Sequence, residues 1–144
     1  MTQQSKQNHV RYHPLFHFIG APLGLITLIG TIVNLCYAII HSENVWLALF
    51  ILVSSLFLVL TFFLARLYGN KVQDRVIRME ENFRHYTLTG KSLNPNLTIR
   101  QIIALRFASN EEFVGLSERA VKEGLSASQI KESINKWRAD EYRV

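Results

Sequence analysis

His9, His13 and His17 recur at four-residue intervals near the start of the 144-residue chain. On a helix that spacing places three imidazoles on one face. Such a row could ligate a metal, contact haem or a quinone, or change charge near neutral pH. Against this, Pro14 interrupts the row, and no carboxylate precedes Glu43 to complete a metal set. The plainer reading is three half-wet histidines at a membrane surface, bonding lipid phosphate or neighbouring side chains. His17 is the best candidate cofactor ligand, with His9 second. Other chemistry is sparse. Cys36 is the only cysteine, so neither a disulfide nor a Cys-based metal site forms within one chain. The polar half contains no paired acids, nucleophile elbow, phosphate loop or zinc spacing. This inventory implies a non-enzymatic protein with no cofactor.

The elements that would position these residues are set by two uncharged apolar runs, Leu15–Ile40 and Val45–Ala65. At about 1.5 Å per residue, each is long enough to cross a hydrocarbon core of about 30 Å. Only His41-Ser42-Glu43-Asn44 joins them, so the two spans form an antiparallel hairpin with both chain ends on one side. Lys6 and Arg11 precede the first span, and Arg66, Lys71, Arg75 and Arg78 follow the second; the connection has neither Lys nor Arg. The positive-inside rule then puts both termini in the cytoplasm. Tyr12, Phe16 and Tyr68 mark one interface, Tyr37 and Trp46 the other. Pro14 suits a first helical turn, whereas Pro22 should kink or loosen the start of the first span.

Within the spans, Gly20-x-x-x-Gly24 fits the small-xxx-small pattern that lets helix backbones approach. It seats the second span on the first or makes a subunit contact. Asn34 is the strongly polar residue near mid-span, and a hydrogen bond to Ser54 or Ser55 is its natural use. The competing use is to line a small channel, although neither span carries an Asp, Glu, Lys or Arg.

The net charge of +5 raises the question of nucleic acid. Residues 66–91 hold six basic groups against three acidic ones, while residues 98–144 hold eight against seven. The excess is therefore juxtamembrane, where topology and anionic headgroups account for it. A nucleic-acid module would concentrate that charge on its globular part, so nucleic acid is not an expected partner.

The second span should continue as an amphipathic juxtamembrane helix over 67–90. Val72, Val76, Met79, Phe83 and Tyr86 are spaced 4, 3, 4, 3, the heptad seam of an interacting helix. Extended backward, the seam meets Gly69 and Ala65. Gly90 and Asn94-Pro95-Asn96 read as a stop and a linker over 91–97. Region 98–144 then begins three helices with capping-box patterns: Thr98-x-x-Gln101, Ser109-x-x-Glu112 and Ser126-x-x-Gln129. Five apolar groups on one stripe are too costly to leave wet. Packing on Ile102, Phe113, Ile130 and Trp137 of the same chain is the favoured cover, with pairing to a second copy next. Residues 1–14 form a polar N-terminal tail, and 15–66 the hairpin. The whole reads as an all-α membrane protein.

Four segments carry a resemblance. Asn8-His9-Val10-Arg11-Tyr12-His13-Pro14-Leu15-Phe16-His17-Phe18 opens the chain, and Lys71–Arg78 continues the second helix. Arg100–Ser109 and Lys136–Val144 complete the set. Together they resemble an uncharacterised bacterial family of small two-span membrane proteins with a helical cytoplasmic tail. The resemblance implies that architecture and a bacterial inner-membrane address, without an activity. The resulting expectation is a scaffold or interaction protein, either a homo-oligomer or an accessory subunit of a larger membrane complex. The alternative is a cofactor- or ion-handling membrane protein.

Overall fold

A computed structural model of the chain describes residues 14–139. A π-helical stretch, Leu15–Gly20, leads into α1 (Ala21–Ile40); α2 (Val45–Thr89) follows after four residues. Three shorter helices complete the order: α3 (Ile99–Leu105), α4 (Asn110–Lys122) and α5 (Ala127–Ser133). Among the described residues there is no strand, and one isolated antiparallel bridge joins Ala108 to Trp137. The fold is all-α. Two compact units divide it, the first ending at Gly69 and the second beginning at Asn70.

In the first unit, Pro22 has the expected effect. It has no N–H for the Phe18 carbonyl and its ring crowds that group. The preceding turn widens, and the Ala21 N–H reaches back five residues to Phe16 O. Beyond it, α1 packs antiparallel on the first half of α2, as the falling numbers of its partners record. Gly20 faces Phe62, Gly24 faces Val59, and Thr31 meets Ser55. At the connection, Asn44 Oδ1 accepts the Leu47 N–H and starts α2. Leu15–Ile40 and Val45–Thr89 are both long and apolar enough to cross a membrane, yet only 11 % of each apolar window is buried. A core helix of a soluble domain would be mostly covered.

The second unit is built around Leu105, Phe107, Phe113 and Ile130, all fully buried. Gly90 (φ +71°) ends α2 and Gly124 (φ +63°) follows α4, both in the left-handed region that favours glycine. Segment 91–97 is more than a spacer: Leu93 and Leu97 are buried in the core, and the Leu93 N–H donates to Asn82 Oδ1 (2.8 Å). Thr98 and Ser126 form complete capping boxes with Gln101 and Gln129. Ser109 does not. Its partner Glu112 instead accepts the Asn135 and Lys136 N–H groups (3.2 and 3.3 Å). The third helix is also shorter than its apolar spacing suggests. Ile134 turns extended (ψ 121°), Trp137 stacks on Phe107 (4.5 Å, 13°), and the Arg138 N–H donates to Phe107 O. Backbone pairing there replaces another helical turn.

Candidate functional site

Two faces of α2 compete for the role of contact surface in the second unit, and they differ in kind. One carries Ile77, Glu81, Arg84 and His85, all buried against the core. Arg84 is its anchor. Its Nη1 donates to Glu81 Oε2 (3.0 Å), its Nη2 to Ala108 O (2.7 Å) and its Nε to Asn110 Oδ1 (2.8 Å). The guanidinium also lies 4.3 Å over the Phe113 ring. His85 Nδ1 donates to Lys91 O (2.8 Å), tying α2 to the segment after it. Burial pushes the Glu81 carboxyl above its ordinary value and the Arg84 guanidinium below its own, each offset in part by the charge of the other.

The opposite face is the heptad seam. Val72, Val76, Met79, Phe83 and Tyr86 are 47–72 % exposed. The intramolecular cover expected from sequence is therefore wrong: Ile102, Phe113 and Ile130 pack with Ile77, on the other side of the helix. Hydropathy favours the seam as the core face, but Arg84 and Glu81 offer a satisfied hydrogen-bond network that an aliphatic stripe cannot replace. Arg84 bridges Glu81, three residues before it, on the buried side of the helix. An open groove of about 970 Å³ runs beside this network, bounded by Phe83, Arg84, Arg106 and Asn110. Each of the three guanidinium nitrogens of Arg84 donates to a protein group, so in this groove it acts as a structural clamp.

In the first unit, Gly20 and Gly24 face α2 within the same chain. A Cβ on Gly20 would fall inside contact distance of the Phe62 ring, which stacks on Phe16 at 4.7 Å. On Gly24 it would meet Val59 at 3.5 Å, an ordinary contact. Asn34 is exposed, and the Ser55 hydroxyl pairs with Thr31 instead (3.1 Å). Thr31 lies on the Gly20–Gly24–Ala38 stripe, whereas Asn34 is about 60° away from Thr31 around the helix. His17 is half-buried with its ring edge-on to Phe16 (5.1 Å). His9 and His13 lie outside the described residues. Among those described, no three His, Cys, Asp or Glu side chains gather closely enough to hold a metal.

The family model of DUF6526, a family of unknown function, matches residues 1–144. The chain belongs to DUF6526. No curated protein and no solved structure matches it. For this DUF6526 chain the sequence singled out the glycine stripe, which faces α2, and the seam, which the chain leaves exposed. It did not single out Glu81, Arg84 and Asn110. Their one signal was the four-residue spacing of Ile77, Glu81 and His85, a second stripe hidden by its polarity.

Proposed function

We propose that the protein is a non-enzymatic integral membrane scaffold, acting as a homo-oligomer or as an accessory subunit of a larger membrane complex. The observation that carries this reading is apolar surface left uncovered by the chain itself. Two long apolar helices lie almost bare, and the seam of α2 is bare on the side away from the folded core. Lipid is the natural cover for the first and protein for the second. The distribution of Lys and Arg supports both termini on the cytoplasmic face, and the family resemblance supports a bacterial inner membrane. Asn34, exposed on α1, adds a polar group that a neighbouring helix in the bilayer would satisfy.

The test is purification in mild detergent followed by size analysis and identification of co-purifying chains. A discrete multimer supports the homo-oligomer; a monomer held by other membrane proteins supports the accessory subunit. Labelling of both termini from the outside of intact cells would reverse the topology, and substrate turnover by the isolated chain would overturn the scaffold reading altogether.

A further inference from the structure

We propose that the Val72–Tyr86 seams of two copies pair in parallel and in register as a short two-stranded coiled coil. The inference deepens the scaffold reading and rests on it, since two copies inserted alike in one bilayer run parallel. In heptad terms, Val76 and Phe83 occupy a positions and Val72, Met79 and Tyr86 occupy d positions. The residues committed to the chain's own core, Ile77, Glu81, Arg84 and His85, fall at b, f and c positions on the far side. Pairing through the seam therefore displaces none of the folded tail.

Charge selects a second copy as the occupant. Arg75 sits at a g position and Glu80 at the following e position, both exposed. In a parallel, in-register pair each g residue faces the e residue of the other helix five positions on. Arg75 of each copy then faces Glu80 of the other, giving two equivalent bridges across one two-fold interface. Asn82 faces Thr87 in the next heptad by the same rule, with no like-charge contact. Two heptads are marginal for free peptides because helix nucleation is costly. Here that order already exists, as the seam is part of a 45-residue helix, and shared membrane residence raises the effective concentration.

Disulfide trapping of the full-length protein in phosphatidylethanolamine/phosphatidylglycerol vesicles tests the pairing, on a Cys36→Ser background. Met79→Cys, at a d position, should convert to a disulfide dimer under mild oxidant. Arg78→Cys, exposed at a c position, should react at least about tenfold more slowly because its Cβ atoms lie beyond disulfide reach. Glu80→Arg should reduce the Met79→Cys dimer, and Arg75→Glu combined with Glu80→Arg should restore it. Equal trapping at the two cysteine sites, or no rescue by the charge swap, overturns the proposal. A multimer that persists without trapping at Met79→Cys overturns the seam pairing but leaves the scaffold reading intact. A monomer by size and by trapping overturns the pairing together with the homo-oligomer, leaving the accessory-subunit form.

Discussion

Ser109, Thr98 and Ser126 stand at the starts of three helices, yet only two of them cap. Thr98→Ala and Ser126→Ala should each destabilise the second unit by about 1 kcal/mol, through loss of the bond to the third residue's N–H. Ser109→Ala should be neutral or slightly stabilising, because its buried Oγ has no hydrogen-bond partner among the described residues. Thermal unfolding of the full chain in detergent distinguishes the three. The buried pair behaves differently. Arg84→Ala should cost about 3 kcal/mol, leaving Glu81 uncompensated and Ala108 O without its donor. Because the Glu81 carboxyl is raised above 4.5, mainly by burial, the folded chain holds its proton to higher pH than the unfolded chain. Stability should therefore fall as pH rises from about 4.5 through the raised value. Glu81→Gln should flatten that slope, read as the difference between variant and parent unfolding at each pH.

At the scale of elements, the hairpin depends on how closely α1 approaches α2. Gly20→Ala must displace the Phe62 ring from its stack on Phe16, at about 1–3 kcal/mol. Gly24→Ala adds a methyl at ordinary contact distance from Val59 and should be close to neutral. Resistance to unfolding or proteolysis in detergent should rank the two variants in that order. Along α2, Phe83→Asp places a carboxylate on the exposed seam, at the rim of the groove beside the Arg84 network and without removing any of that network's hydrogen bonds. It should leave the second unit's stability within about 0.5 kcal/mol of the parent, as exposed substitutions do. It should also abolish any multimer held by the seam, seen as a halved mass in mild detergent. Loss of folding instead would mean that Phe83 supports the core.

For the whole molecule, deletion of residues 98–144 separates the two faces of α2. The deletion removes Ala108 and Asn110 from Arg84 and uncovers Ile77, so the end of the helix should fray and exchange its amide protons faster. The seam is untouched, because the tail covers the other side. The truncated chain should therefore remain multimeric rather than aggregate, as measured by size analysis beside the parent. Wholesale aggregation would mean that the tail shields apolar surface beyond Ile77 and its neighbours.

The sequence by itself determined the all-helical fold, the two apolar spans and their four-residue connection. It also marked the stops at Gly90 and Gly124 and the caps at Thr98 and Ser126. These features are local: apolar run length, left-handed φ and a three-residue capping spacing act within a few residues of chain. Tertiary structure alone decided which face of α2 the tail occupies. Nothing in the polarity of Glu81, Arg84 and His85 points to burial, and the five apolar seam residues read as the face that the tail covers. The assignment reverses because Ala108 O, Asn110 and Lys91 O, brought in by the fold, satisfy the buried polar groups. A desolvated charge is tolerable only where such partners converge. That convergence is a property of three-dimensional packing, with no signature in hydropathy.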